Sequence, residues 1–147
     1  MGLQVTLTSA NAGVAGPRID VLAARAAAGD CDLVAKGTVD GDARGWVRLA
    51  SGDFQGDRKA DAPLPGAALR ALAATSGQEL TFTCVPPGSG TRSGIDRDED
   101  GFYDADEIAA GTDPADPASF PSATVVEARK LTLRDDVTPP IDAAKRR

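Results

Sequence analysis

Apolar and polar residues alternate at several places along this chain, and each alternation marks a strand. Leu3, Val5 and Leu7 share one parity and Gln4, Thr6 and Thr8 the other, which predicts a strand over 3–8. Leu80, Phe82 and Cys84 alternate with Thr81 and Thr83, a strand with Cys84 facing inward. Cys31–Val39 and Gly45–Leu49 read as two strands around Asp40-Gly41-Asp42, hence a hairpin. Ile19, Leu22, Ala23 and Ala26 instead fall at helical spacing. They predict a helix near 17–28, after a turn region from Asn11 to Pro17 and with Gly29 as its stop. Leu69, Leu72 and Ala73 predict a shorter helix over about 64–75. Thr124 to Arg134 reads as one more strand, with Leu131 and Leu133 on one face.

The intervening stretches lack a period. Ser51–Pro65 is polar and rich in Gly, Asp and Pro, hence a loop, and Pro86–Gly94 is a connector. Ala105–Ala110 makes at most two helical turns before Gly111, and the prolines at 114 and 117 stop it. With 16 glycines, 10 prolines and only 4% aromatics, the 147-residue chain holds many turns and a modest core, so added staples are expected. No internal repeat is apparent, and no stretch is long and apolar enough to span a membrane.

Charge sharpens this picture. The net charge is −6, yet Asp96–Asp116 carries nine acids and one base, or −8, leaving thirteen acids and fifteen bases, or +2, elsewhere. Such local acidity points to a cation site. There is no general basic stripe, which argues against nucleic acid as a partner.

The acidic region contains Asp96-Arg97-Asp98-Glu99-Asp100-Gly101-Phe102-Tyr103-Asp104-Ala105-Asp106-Glu107, which fits D-x-D-x-D-G-x5-E without a mismatch. That spacing defines a twelve-residue EF-hand-like calcium loop. Asp96, Asp98 and Asp100 are each expected to give one oxygen, Phe102 its backbone carbonyl, Asp104 a direct or water-mediated contact, and Glu107 both oxygens. Gly101 permits the sharp turn. Arg97 and Glu99 should face solvent, and Asp106 is solvated rather than a ligand. Ca2+ is the cofactor implied; a cage of this kind is too large for Mg2+.

Cys31 and Cys84 are the only cysteines. Loops of this type fill at extracellular calcium levels, and disulfides persist outside the cytosol. The two clues together predict a Cys31–Cys84 disulfide, with a pair of buried free thiols as the alternative. The absence of C-x-x-C leaves a redox or zinc motif unsupported.

The segment Asp96–Pro114, with its trailing Gly111-Thr112-Asp113-Pro114, resembles the bacterial thrombospondin type 3 repeat. The resemblance implies a calcium-stabilised, extracellular, mostly structural module, with Asp96, Asp98, Asp100, Asp104 and Glu107 as ligands. Such repeats usually occur in tandem; this chain has one. More loosely, Thr81–Gly90 followed by the loop resembles C-terminal segments of large secreted bacterial surface proteins. Dockerins use similar loops in duplicate.

The expected fold is therefore α+β, a small mixed sheet with two short helices, one disulfide and an appended EF-hand-like calcium loop. Residues 1–90 form the core, 91–120 the calcium segment, and 121–147 a C-terminal strand and loose tail. The N-terminus lacks the pattern of a signal peptide, and Lys145-Arg146-Arg147 ends the chain abruptly, which together suggest a mature or excised fragment. The functional expectation is an extracellular or cell-surface structural module, a candidate subunit of a fibre or layer that self-associates through its terminal strands. The alternative is a binding module for carbohydrate or a protein partner, with Trp46 as core rather than sugar platform. A calcium sensor needs a full helix on both sides of the loop, which Gly88–Gly94 cannot supply. An enzyme is not expected: the chain has no histidine, and its clustered carboxylates serve the cation.

Overall fold

The computed structural model describes residues 3–121. Within them the chain forms β1 (Gln4–Leu7), α1 (Ala12–Ala27), β2 (Asp32–Val39), β3 (Asp42–Arg48), β4 (Phe54–Gly56), α2 (Gly66–Leu72), β5 (Leu80–Val85), α3 (Gly90–Gly94) and α4 (Asp104–Ala110). The strands make one five-stranded sheet in the order β1-β5-β2-β3-β4. This is the expected α+β class. The sheet is antiparallel at every pairing rather than mixed, because β5 inserts between β1 and β2 and runs against both.

The β2–β3 hairpin closes on a two-residue turn. Asp40 and Gly41 both hold positive φ, 53° and 88°, as a type I′ turn requires. Strand alternation then sends Leu33, Ala35, Trp46, Phe54, Leu80, Phe82 and Cys84 to one face. Ala35 is registered against Phe82 on one side and Trp46 on the other, a small residue between two large ones. Phe54 meets Phe82 edge-on with centroids 6.2 Å apart. Ala15, Ile19 and Leu22 of α1 and Leu69 of α2 close over this face.

Cys31 and Cys84 are joined by a disulfide with Cα atoms 5.4 Å apart. Closing 53 residues into a loop removes entropy from the unfolded chain, worth about 4 kcal/mol in the chain-entropy model.

The opposite face carries a smaller cluster of Val34, Val47 and Ile95, with Val85 and Tyr103 against it. Here α3 lies directly on β2 and β3, and glycine makes that approach possible. A Cβ on Gly45 would run into the Gly94 carbonyl, and one on Gly90 would sit 2.9 Å from Val47 Cγ2 and from Asp32. Asp32 Oδ2 accepts the Gly88 and Gly90 N–H groups, each at 2.8 Å, which fixes the turn into α3.

Several elements depart from the sequence expectation. α1 begins at Ala12, so Asn11–Pro17 is not a turn, and Pro17 lies inside the helix. Pro17 forfeits one helical bond, but Asn11 anchors the start. Its carbonyl accepts Val14 and Ala15 N–H, its Oδ1 accepts Thr8 N–H at 2.7 Å, and its Nδ2 donates to Thr6 O at 3.0 Å. The loop from Ser51 to Pro65 contains β4, whose outer side is bridged by Leu64. The connector contains α3, a single turn. The described residues thus hold four helices rather than two. The strand expected over 124–134 lies outside the described residues.

Candidate metal centre

The acidic loop hangs between α3 and α4. Ile95 is buried in the smaller cluster and accepts the Asp104 N–H at 2.8 Å, so the loop's two ends are tied together. Gly101 holds φ 97° at the sharp turn.

The carboxylates divide their oxygens. Asp96 Oδ2 accepts Gly101 N–H at 3.1 Å, Asp98 Oδ1 accepts Asp100 N–H at 3.2 Å, and Asp100 Oδ1 accepts Phe102 N–H at 2.9 Å. Each acid thereby fixes the loop with one oxygen. The others, Asp96 Oδ1, Asp98 Oδ2 and Asp100 Oδ2, are buried without a hydrogen-bond partner, as are both oxygens of Glu107. Asp96, Asp98 and Asp100 each offer an oxygen within 4.8 Å of the others. Glu107 is wholly inaccessible on the first turn of α4.

Buried carboxylates without donors are costly in their charged form. Burial pushes the Glu107 carboxyl up to about 7, and the charges of Asp98, Asp100, Asp104 and Asp96 add to this. Asp98 is raised by burial, with neighbouring carboxylates adding and the Asp100 N–H opposing. Five orphaned oxygens from four acids fit a hard divalent cation, which satisfies lone pairs and cancels charge at once.

The other expected site residues are arranged differently. Asp104 is buried, but Oδ1 accepts Arg97 N–H at 2.9 Å and Oδ2 lies 3.4 Å from the Arg97 guanidinium. Phe102 gives its N–H to Asp100, and its ring stacks on Phe120 at 5.8 Å. Arg97 and Glu99 are exposed as expected, and Glu99 holds a left-handed φ of 60°. Asp106, expected to be solvated, is half-buried and accepts Lys59 N–H at 2.8 Å.

Sequence reasoning missed the brace beneath the loop. Asp57 is buried, with Oδ1 on Arg44 Nε at 2.5 Å and Oδ2 on Gly45 N–H at 3.0 Å. Its carbonyl accepts Ala105 N–H at 3.1 Å, and Lys59 Nζ reaches the Gly101 carbonyl at 3.4 Å. Nothing periodic distinguishes Asp57 from its neighbours Asp53 and Asp61 in the sequence. Beyond α4, Gly111 is left-handed, and both N–H and Oγ1 of Thr112 donate to the Glu107 carbonyl. The Gly-Thr pair is therefore a helix stop.

Loop, orphaned oxygens and helix stop together define an EF-hand-like cation module. The family model of the bacterial TSP3 repeat matches residues 96–117, which suggests a calcium-binding structural module in this segment. No curated protein and no solved structure matches the chain.

Proposed function

We propose that this chain is an extracellular structural module whose segment 91–120 is stapled by one Ca2+. The ion takes Asp96 Oδ1, Asp98 Oδ2, Asp100 Oδ2 and both Glu107 oxygens, joined by the Phe102 carbonyl and a ninth-step contact from Asp104 or through water. The observation that carries this reading is the set of five buried, unpartnered oxygens from four acids spaced as the repeat requires. Six or seven hard oxygens suit calcium better than magnesium. The disulfide and the TSP3 repeat, both typical of extracellular proteins, support the location.

The test is thermal unfolding of the full chain in excess Ca2+ and in excess chelator. A clear rise with Ca2+ but not with Mg2+ is expected; superimposable curves in all three conditions would sink the reading.

Within this function, assembly into a fibre or layer is supported by the sheet's outer edge. Among the described residues β1 pairs only with β5, whereas β4 is bridged on its far side by Leu64. Particle size by light scattering tests it, a strictly monomeric species at high concentration being the contrary result. For the carbohydrate alternative Trp46 offers no platform, because it is buried in the core under the Arg44 guanidinium.

A further inference from the structure

We infer that Arg97 withholds Asp104 from the cation. On this view Asp104 is a positioning residue that clasps the loop shut, and the ninth-step contact falls to water. The inference rests on the calcium reading above and deepens it.

The three acids before it set the pattern that Asp104 breaks. Asp96, Asp98 and Asp100 each spend one oxygen on a loop N–H and leave the other unpartnered. Asp104 leaves neither. Its Oδ1 takes the Arg97 N–H at 2.9 Å, and its Oδ2 faces the Arg97 guanidinium at 3.4 Å. Its own N–H is held by the Ile95 carbonyl at 2.8 Å. Three contacts therefore fasten the loop's exit to residues 95–97, at its start. Turning the carboxylate onto the cation would break the ion pair and strand the Arg97 N–H.

The discriminating residue is the arginine at the second step. The backbone bond to Oδ1 does not depend on the side chain at 97, but the occupation of Oδ2 does. The guanidinium also adds a positive charge beside the cation site. Both effects lower affinity, since calcium loops are tuned by ligand charge count and rigidity. The ion then faces four carboxylates, and the arginine trades affinity for a loop that holds its shape.

The experiment is calorimetric Ca2+ titration of the full chain with R97Q, R97K, D104N and D98N, together with melting of each in chelator. R97Q should bind Ca2+ about three- to tenfold more tightly, as removal of a nearby charge implies. R97K, which keeps the charge, should bind like the parent. D98N should weaken binding on the order of tenfold or more, and D104N by less than about threefold. In chelator D98N should melt higher, through relieved repulsion, while D104N and R97Q melt lower through loss of the ion pair. D104N weakening binding as much as D98N, or R97Q leaving it unchanged, overturns the inference while calcium binding stands. A parent chain that takes up no Ca2+ overturns the calcium reading and this inference together.

Discussion

Glu107→Gln should have opposite effects with and without calcium. Glu107 is fully inaccessible, has no donor for either oxygen and sits among four other carboxylates. Raising its pKa from 4.5 to about 7 corresponds to at most about 3 kcal/mol against the charged form, at about 1.4 kcal/mol per tenfold. Coupling to the neighbouring acids, which share the cost, reduces this to about 1–2 kcal/mol. The sign follows from proton counting. Between pH 4.5 and about 7 the folded protein holds a proton that the unfolded chain has released. This group's contribution is thus fully present below pH 4.5, is lost as pH rises through about 7, and is flat above. The amide carries no charge to bury. In chelator at pH 8 the variant should therefore melt about 3–6 °C above the parent, for a chain of this size, and its stability should fall less between pH 4.5 and 7. In saturating Ca2+ it should lose most of the stabilisation the parent gains. Fluorescence of Trp46, the single and buried tryptophan, reports the transition. A variant melting below the parent in chelator at pH 8 refutes the buried-repulsion argument. One that keeps the full calcium gain refutes Glu107 as a ligand.

Three further outcomes can be checked with the same assay. Free Ca2+ at 100 times Kd should add about 2.7 kcal/mol, or about 5–10 °C, and a further tenfold excess about 1.4 kcal/mol more; no shift at any concentration is the contrary result. Reducing Cys31–Cys84 should cost about 4 kcal/mol and add two titratable thiols, and an unchanged melting point would show the crosslink to be energetically idle. Asp57→Ala leaves Arg44 and the Gly45 N–H without their partner and should cost about 3–5 kcal/mol; a loss below 1 would show Asp61 alone holding the arginine.

What could be read in the sequence was what is local. The β2–β3 hairpin is visible because Asp-Gly at a turn and alternation on both sides lie within twenty residues. β5 is visible because its burial follows strict parity. The twelve-residue loop is contiguous, so its ligand spacing needs no tertiary knowledge. Pro17 hid the first turn of α1, since proline usually marks a boundary and the compensating Asn11 bonds to Thr6 and Thr8 leave no periodic trace in the sequence. β4 has one apolar anchor, Phe54, too few for a period. α3 was masked by the very glycines that let it touch the sheet. A ligand motif, likewise, specifies that an acid stands at the ninth step but not that Arg97 occupies it.

On the proposed calcium reading, the cation would matter to this fold because few apolar contacts hold the segment down. Apart from hydrogen bonds, the loop and α4 rest on Ile95, Tyr103 and Ala105, whereas the other face of the sheet carries thirteen buried core residues and the disulfide. The brace at Asp57 and Lys59 supplies three bonds, of roughly 1–2 kcal/mol each, against the mutual repulsion of five acids. Removing calcium should therefore unlatch residues 96–112 before the main core melts. Amide hydrogen exchange in chelator tests this order. Protection should fall at Gly101, Phe102, Glu107 and Thr112, whose N–H groups all bond within this segment, while Phe82 and Ala35 in the central strands keep theirs. Equal loss of protection in both groups would mean that loop and sheet unfold as one unit and that the ion staples the whole domain.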